Sequence, residues 1–247
     1  MDNVIDIQEL TKQYKNADAL SLDIQSLEIV RGEKFGIFGP NGAGKTTLIS
    51  ILCGIIEPTT GSAHYHLDGD HHSVKSVLTS IGFVPQDFAF YPELTPVQNL
   101  LYFGRLYDIP KVNLLQKIDY LLDSVGLMHV KRKKINTFSG GMKRRINLAI
   151  GLINDPKILF LDEPTVGVDV QSKVAIFRLL DELNAKGTTI IYTSHHLKEA
   201  EDFCDRIALL DHGKIIKIGS LSGLLSSNSM TNLEELLISL TGNTLRD

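Results

Sequence analysis

The sequence predicts an α/β fold, and three observations lead to this prediction. First, the short apolar run Lys34–Phe38 is followed at once by the glycine-rich segment "GPNGAGKTT" and then by a helical pattern. Second, "KILFLDEP" and "TTIIYTSHH" contain apolar runs without alternation, which is typical of parallel strands covered on both faces. Third, segments with the helical spacing of apolar residues separate such runs along the chain.

The first part of the chain is predicted to contain mostly strands. Val4–Leu10 and Leu22–Ile29 alternate between apolar and polar residues and are separated by a polar turn. A helix is expected from Lys45 to about Cys53, where "EPTTG" stops it with proline and glycine. The next two predicted strands are Ser62–Leu67 and Ile81–Pro85.

The character of the sequence changes between residues 87 and 154. Three segments there carry helical spacing: "PVQNLLYFGRLYDI", "VNLLQKIDYLLDSVGL" and "GMKRRINLAIGLI". We therefore interpret 87–154 as a helical subdomain inserted into a core formed by 1–86 and 155–219, all within a single domain of 1–247. Later helices are expected from about Gln171 and His196, and "RIALL" and "GKIIKIG" are the last predicted strands. A short tail, 220–247, contains one more helical pattern, "LEELLISL".

Composition restricts the possible classes of protein. The 247 residues, of which 43% are hydrophobic and 22% charged, suffice for one large α/β domain. The net charge of −4 gives no support to a nucleic-acid-binding surface. Cys53 and Cys204 are too few for a disulfide framework, which fits a reducing cytosol. We expect neither a signal peptide nor a membrane-spanning helix, so a membrane partner would have to supply any transmembrane part.

The segment "GPNGAGKT", from Gly39 to Thr46, fits the phosphate-binding loop pattern G-x-x-x-x-G-K-[ST]. Glycines let the backbone surround a β-phosphate, Lys45 is expected to reach the β- and γ-phosphates, and the Thr46 hydroxyl is expected to ligate Mg²⁺. The alternative is a glycine-rich turn that binds nothing. Because a predicted buried strand precedes the segment and a predicted helix follows it, we favour the phosphate-binding interpretation.

Two carboxylates end the apolar run of "ILFLDEP". Asp162 lies at the carboxyl end of this predicted strand, where open α/β sheets bind ligands, and is expected to hold the Mg²⁺ shell. Glu163, one residue further, is placed to orient and deprotonate a water aimed at a γ-phosphate. An Asp-Glu pair at a strand end is often just a polar end of the strand without a chemical role. In combination with the phosphate-binding loop, it predicts a catalytic role.

At this point the sequence resembles a known family. The order and spacing of its motifs are similar to those of the nucleotide-binding subunits of ABC transporters over essentially the whole chain. The resemblance implies a P-loop NTPase (ABC ATPase) core with a mixed sheet, an antiparallel β subdomain and an inserted helical subdomain. It also implies that ATP and Mg²⁺ are the cofactors and that the chain hydrolyses ATP.

The resemblance also assigns roles to residues outside the phosphate-binding loop. Gln86 matches the Q-loop glutamine, which contacts Mg²⁺ and senses the transmembrane partner, and Asp169 in "VGVDVQS" matches the D-loop. Tyr14 stands where the family has an aromatic ring under adenine. The implied catalytic residues are Glu163, His195 and Gln86; the metal ligands are Thr46, Gln86 and Asp162; the nucleotide-binding residues are Tyr14, Gly39, Pro40, Asn41, Gly42, Ala43, Gly44, Lys45, Thr46, Thr47, Ser139, Gly140, Gly141 and Asp169.

His195 is the residue that matches the switch histidine, which contacts the γ-phosphate. The neighbouring His196 is the alternative, but "H-x-x-x-E-A-E" aligns with this sequence only when His195 comes first, so His196 is interpreted as a helix-start residue. Phe138, Met142 and Val168 depart from the commonest residues of the family. None of these departures removes a phosphate or metal contact.

The family resemblance implies two kinds of protein partner. In the family, two subunits pack head to tail, and Ser139, Gly140 and Gly141 of one subunit would cover the γ-phosphate held by the loop of the other. A helix start with bare glycine N–H groups suits such an anion. A separate integral membrane permease would hold the pair, homo- or heterodimeric, at the cytoplasmic face of the membrane. No nucleic-acid partner is expected.

Within the family, the sequence is most similar to the drug, sodium and polysaccharide exporters. Importer subunits often carry a longer regulatory C-terminal domain, for which this tail ends too early. Three alternatives stay open: an ABC-type ATPase acting on DNA or ribosomes, a P-loop small-molecule kinase, and a regulatory ATP-binding module without turnover. ATPases that act on DNA or ribosomes usually have a long coiled-coil insertion or a second cassette, and this sequence shows neither. A small-molecule kinase would need no "SGG" segment. Glu163 argues against a module without turnover.

Two further segments have more than one interpretation. "HYHLDGDHH", His64–His72, suggests a metal site, but a surface hairpin is the simpler interpretation. "NLLYFGRLY", Asn99–Tyr107, suggests either core packing, a nucleic-acid surface or, with "DFAFYPELT" before it, the region where the family docks the membrane subunit. The sequence favours core over nucleic acid but does not separate core from interface.

Overall fold

The computed structural model describes residues 2–15, 17–67, 69–228 and 230–242. The chain divides into two compact units, one formed by the chain up to Leu78 and again from Thr189, the other by Thr79–Thr188. The interval 87–154 that was interpreted as helical lies inside the second unit. This unit also contains the strands predicted at Ile81–Pro85 and in "KILFLDEP".

Part of the first unit is an antiparallel sheet. Its strands are β1 (Asn3–Lys12), β2 (Leu22–Val30), β4 (Thr60–Leu67) and β5 (Asp70–Ser73), arranged in the order β2-β1-β4-β5. All of its strand pairs are antiparallel. The sheet buries apolar side chains, among them Ile5, Leu10, Leu22, Ile24 and Tyr65.

The first unit also contains a mixed set of strands. These are β3 (Lys34–Phe38), β8 (Thr189–Ser194), β9 (Arg206–Asp211) and β10 (Lys214–Ser220), in the order β10-β9-β3-β8. β3 is parallel to both β8 and β9, whereas β10 is antiparallel to β9. All residues of β8 are buried, as its apolar run without alternation predicts.

The helices of the first unit are α1 (Lys45–Leu52), α2 (Val74–Val77), α7 (Leu197–Phe203), α8 (Leu221–Asn228) and α9 (Leu233–Thr241). The helices α2 and α8 are absent from the predictions, and β5 was expected only as the second strand of the surface hairpin interpreted at His64–His72, which β4 and β5 form. β5 is the four-residue polar segment "DHHS", and α8 contains glycine and serine residues that favour other conformations, so neither carries the hydrophobic period used to find elements.

The second unit combines two parallel strands with four α-helices. The strands are β6 (Ile81–Val84) and β7 (Ile158–Asp162), with Val84 paired to Leu161. The helices are α3 (Pro96–Arg105), α4 (Lys111–Ser124), α5 (Gly140–Gly151) and α6 (Val170–Ala185), with short 3-10 helices at Met128–Val130 and Ile135–Thr137. β7 is fully buried, as predicted.

Side-chain caps fix where three helices of the second unit begin. Thr95 and Gln98 form a capping box at the start of α3, and Pro96 occupies the first helical position. Ser139 accepts a hydrogen bond from the Met142 N–H at the start of α5, and Asp169 accepts one from the Ser172 N–H at the start of α6.

The segment "NLLYFGRLY" contributes to both core and surface. Leu100 is fully buried, whereas Tyr102 is 44% exposed and Leu106 is 64% exposed. Phe88 and Tyr91, which precede α3, are also exposed. Core packing is therefore confirmed for Leu100, and the interface interpretation stays a prediction for the exposed residues. Within the described ranges, the structure has no helix whose length and apolar character would let it cross a membrane.

Candidate functional site

The phosphate-binding loop connects β3 to α1. It leaves the sheet at Gly39, where an added Cβ would collide with the backbone carbonyl oxygen of Leu210. Gly42 and Gly44 have φ angles of 76° and 103°, in the left-handed region that glycine adopts without strain. The glycines of the motif are thus required by a close approach at one position and by backbone conformation at the others.

Lys45 folds back over this loop. Its side chain is buried, and its Nζ donates hydrogen bonds to the carbonyl oxygens of Gly39 at 2.8 Å and Pro40 at 3.0 Å. The following helix begins at Gly44 without a side-chain cap, so the amides of its first turn have no side-chain acceptor there. An ammonium group and a helix start with uncapped amides attract phosphate. The loop therefore has the chemistry that a nucleotide's phosphates need.

The turn between β9 and β10 contacts the backbone of the phosphate-binding loop. The Gly213 N–H, in the turn between β9 and β10, donates to the Ala43 carbonyl oxygen at 3.0 Å. Gly213 also packs closely against Leu22, since an added Cβ would lie 2.9 Å from the Leu22 Cα. The loop conformation is thereby fixed by backbone contacts within its own unit.

Tyr14 lies beside the first turn of α1. Its hydroxyl is 3.4 Å from the Thr47 Oγ1, and its side chain is 46% exposed. Asn41, Gly42 and Thr46 are exposed as well. An exposed aromatic ring next to the loop is the arrangement that stacking on an adenine requires.

His195 is placed by the register of two parallel strands. Phe38, the last residue of β3, is paired with Ser194, the last residue of β8. The next residue on each strand is Gly39 and His195, so the loop and the histidine leave the sheet at the same level. Both His195 and His196 are exposed, with ring centroids 4.1 Å apart. The carboxyl ends of parallel strands are where such folds bind ligands.

A parallel pair also positions the carboxylates of the second unit. Val84 of β6 is paired with Leu161 of β7. Gln86 and Glu163 each lie two residues beyond this pair, so they leave the two strands at the same level. The Gln86 Nε2 donates a hydrogen bond to the Glu163 Oε2 at 3.2 Å. Asp162 is 2% exposed and Glu163 is 7% exposed. Glu163 has a φ of 50°, a left-handed conformation that costs about 1–3 kcal/mol for residues with a side chain.

Two residues of α5 hold the segment around Gln86 and were not singled out by the sequence. The Arg144 Nη1 donates to the Gln86 carbonyl oxygen at 2.7 Å, and its guanidinium lies over the Phe88 ring at 4.9 Å. Asn147 donates to the Pro85 carbonyl oxygen and accepts from the Ala89 N–H. Burial lowers the pKa of Arg144, and the nearby carboxylates of Asp87 and Glu163 partly offset this effect.

The helix start at Ser139 is packed against the start of α6. Ser139 and Gly140 are exposed, but Gly141 is buried, and an added Cβ there would lie 2.8 Å from both the Asp169 Oδ2 and the Ser172 Oγ. Hydrogen bonds from Ser172 hold the pKa of the Asp169 carboxyl below its usual value. Hence Asp169 is ionised at neutral pH and lies next to the glycine pair.

The structure thus collects the predicted residues into two groups. Within the first unit lie Tyr14, the loop from Gly39 to Thr47, and His195; within the second lie Gln86, Ser139–Gly141, Asp162, Glu163 and Asp169. His66 of β4 contacts the Asp6 carboxylate, but among the described side chains no group of three or more His, Cys, Asp or Glu residues is arranged to hold a metal ion. Asp68, inside the His64–His72 segment, lies outside the described residues.

Comparison with known proteins decides the family. The family model described as "ABC transporter" matches residues 22–166. This chain belongs to the ABC transporter family. The linearmycin resistance ATP-binding protein LnrL of Bacillus subtilis is 40% identical over 217 residues, which are 87% of this chain and 69% of LnrL. The doxorubicin resistance ATP-binding protein DrrA of Mycobacterium tuberculosis is 37% identical over 226 residues, covering 90% of this chain and 67% of DrrA.

A solved structure gives the same result. The ATP-binding cassette MJ0796, described as a dimer in a post-hydrolysis state bound to ADP and Pi, superposes with a TM-score of 0.79 at 27% identity, covering 88% of this chain and 98% of that one. The predicted α/β, P-loop NTPase fold is therefore confirmed. The ABC transporter chain described here is an ATP-binding subunit and an ATPase, as the sequence predicted.

Proposed function

We propose that this ABC ATPase is the energy-supplying subunit of an exporter, that it works as a head-to-tail pair, and that a separate membrane permease holds the pair at the cytoplasmic face of the membrane. The observation that carries the proposal is that one chain contains both a loop suited to phosphate and, in its other unit, an exposed helix start at Ser139 and Gly140. The dimer of MJ0796 and the drug-resistance relatives support it.

The nucleotide-binding part of the proposal rests on the first unit. Lys45 and the amides of the loop and of the first turn of α1 would hold the phosphates, and Tyr14 would stack on the adenine. Bound Mg²⁺ would neutralise phosphate charge and orient the γ-phosphate. The residues that offer it oxygen ligands are Thr46, Gln86 and Asp162, and hard oxygen ligands are those that Mg²⁺ prefers.

The hydrolytic part rests on Glu163, His195 and Gln86. We assign Glu163 as the general base for the attacking water, because it is a largely buried carboxylate immediately after Asp162 on β7. The Gln86 side chain donates a hydrogen bond to one oxygen of the Glu163 carboxylate and so restricts rotation of that carboxylate. His195 would contact the γ-phosphate, and its exposed position at the end of β8 leaves its ring accessible for that contact.

The second copy would complete the site through Ser139, Gly140 and Gly141. In the structure Ser139 caps its own helix and Gly140 is exposed, so the positive end of the α5 dipole is accessible to an anion at Gly140. An anion from another copy can reach them, and ATP would then join two subunits until hydrolysis removes the γ-phosphate. A coupling of about 1–3 kcal/mol between occupancy and closure would drive such a cycle.

The membrane partner would contact the aromatic surface formed by Phe88, Tyr91 and Tyr102. These three side chains are 43%, 46% and 44% exposed, and the Tyr91 and Tyr102 rings meet edge to face at 5.1 Å. Exposed aromatic rings are enriched at protein interfaces. Arg144 and Asn147 connect this surface to Gln86 and thus to Glu163. A permease could in this way influence the hydrolytic carboxylate.

The shared site can be tested by mixing two inactive variants. Lys45→Met removes the phosphate-binding ammonium, and Ser139→Arg blocks the helix start while leaving the chain's own loop intact. In a head-to-tail pair, one chain of each kind forms one intact site, so the mixture should hydrolyse ATP although neither variant does alone. ATP binding by Ser139→Arg alone is the control. A mixture no more active than the sum of its parts would contradict the shared site.

A further inference from the structure

One carboxylate oxygen links β8 to α7 beside His195. The Glu199 Oε2 accepts hydrogen bonds from the Tyr192 hydroxyl at 2.7 Å and from the Ser194 Oγ at 3.0 Å. Tyr192 and Ser194 are both fully buried. A carboxylate that accepts two hydroxyl groups in a buried setting forms stronger, shorter bonds than a neutral acceptor does.

The same contacts fix the backbone on both sides of His195. The Ser194 Oγ, held by Glu199, accepts a hydrogen bond from the His196 N–H at 2.9 Å. The Glu199 N–H in turn donates to the His196 carbonyl oxygen at 3.0 Å. His195 therefore lies between two residues that Glu199 anchors, one through its side chain and one through its backbone.

Tyr192 extends this arrangement to the base of the phosphate-binding loop. Its ring packs against Phe38, which directly precedes Gly39, with centroids 6.3 Å apart. It also packs against Phe203, the last residue of α7, at 5.5 Å. The hydroxyl that binds Glu199 is thus carried by a ring that contacts the strand end before the loop and the far end of α7.

The outer side of α7 is held by the C-terminal helix α9. The Leu233 N–H donates to the Glu201 Oε1 at 2.8 Å, and Leu233 and Leu236 are fully buried. Because α7 has only seven residues, it depends on such tertiary contacts for its position. Glu199 faces the strands and Glu201 faces α9, so the two carboxylates fix opposite sides of the helix.

We propose that Glu199 is a positioning residue that sets the location of His195 relative to the phosphate-binding loop, acting through Tyr192 and Ser194. The inference rests on the role proposed above for His195. Removing the carboxylate would leave the Tyr192 and Ser194 hydroxyl groups without this acceptor. The Ser194 Oγ, which accepts from the His196 N–H, would then no longer be held in place by α7. Displacing a group at a reaction site by about 1 Å can lower the rate about 100-fold.

Glu199→Ala is expected to lower kcat for ATP hydrolysis about tenfold or more while leaving KM for ATP unchanged, because the loop that binds ATP is intact. Glu199→Gln keeps an oxygen acceptor of the same shape and should retain most of the activity. Asp202→Ala, which removes an exposed carboxylate of α7 that pairs with Lys198, is the matched control and should behave as the wild type.

A double variant separates positioning from general stabilisation. If Glu199 acts through His195, then Glu199→Ala should cause no further loss in a His195→Ala background, since the two changes remove one function. An equal loss in both backgrounds, or a raised KM with an unchanged kcat, would overturn the inference. If Glu199→Ala does not fold, Tyr192→Phe, which removes one of the two donors, should show the same pattern with a smaller loss.

These outcomes are distinct from failure of the proposed function. Wild-type turnover by His195→Ala would show that the role proposed for the histidine is wrong. Loss of turnover in His195→Ala together with full activity in both Glu199→Ala and Tyr192→Phe would overturn only the positioning role.

Discussion

The Gln86 side-chain amide donates a hydrogen bond to the Glu163 carboxylate across 3.2 Å. The two residues are 77 positions apart in the sequence and meet because β6 and β7 are parallel and in register. On the other side of Gln86, Arg144 binds its carbonyl oxygen. A chain of contacts therefore runs from the proposed base to α5, and through Phe88 to the exposed aromatic surface.

Replacing Glu163 by glutamine should abolish turnover. The variant keeps the shape of the side chain but loses the base, and general base catalysis contributes about 10²–10⁴-fold to a rate. ATP binding should persist, since Lys45 and its loop are unchanged, and a dimer containing ATP should accumulate. ATPase assays and size-exclusion chromatography with ATP measure the two effects. Glu182→Gln, at an exposed position on α6, is the control, and near-normal hydrolysis by Glu163→Gln would remove Glu163 from its assigned role.

The two glycines of the "SGG" segment should respond differently to alanine. At Gly141 the new Cβ would lie 2.8 Å from the Asp169 Oδ2 and the Ser172 Oγ, so the α6 cap must shift. At Gly140 the nearest atom, the Gly167 carbonyl oxygen, is 3.5 Å away, an ordinary contact. We expect Gly141→Ala to lose about 0.5–2 kcal/mol of unfolding free energy, the usual effect of losing a cap. Gly140→Ala should be as stable as the wild type in chemical denaturation, and equal loss in both variants would contradict this packing.

Arg144→Ala should uncouple Gln86 from α5. The Gln86 carbonyl oxygen loses its guanidinium donor, whereas the Pro85 carbonyl oxygen keeps its bond from Asn147. A hydrogen bond from a charged donor contributes about 1.5–3 kcal/mol. ATPase activity should fall without a matching loss of ATP affinity. Arg144→Lys, which keeps the positive charge but not the planar fork, should not restore it. Full activity in the lysine variant would show that charge alone is needed.

Both cysteine thiols should be protected in the folded protein. Cys53 and Cys204 are 7% and 9% exposed. Burial raises the pKa of the Cys204 thiol well above its usual value, and the negative charge of the neighbouring Asp205 raises it further. Since the thiolate is the reactive form, neither thiol should react with maleimide at pH 8 until the chain is unfolded. Above the usual thiol pKa the unfolded chain releases a proton that folded Cys204 keeps, so stability should fall as pH rises there. Rapid labelling of native protein would contradict this burial.

The sequence was sufficient for the elements that carry a strong local signal. Lys34–Phe38 forms the predicted strand, and the fully buried strands β7 and β8 follow from apolar runs without alternation. The phosphate-binding loop could be predicted because its glycines and Lys45 are adjacent in the chain. The pairing of parallel strands then places residues that follow them, such as His195, with no further information.

The contacts that orient the site were beyond sequence reasoning. Arg144 binds Gln86 across 58 positions, and Asn147 reaches Ala89 across the same separation. Neither belongs to a pattern of period two or 3.6, since both are polar residues on a buried helix face. The sequence also could not predict that Leu100 is buried and Tyr102 exposed, because the packing of the helix, and not the residue type, decides which side chains are covered.

The pairing of Phe38 with Ser194 determines where His195 lies relative to the phosphate-binding loop. One residue inserted into β8 would carry the histidine about 3.3 Å along the strand and turn its ring to the other face. The loop after Phe38 would stay where it is. The position of His195 relative to the phosphate-binding loop is thus set by the hydrogen bonds that pair β3 with β8, so the number of residues in β8 matters as much as the identity of the residue that follows it.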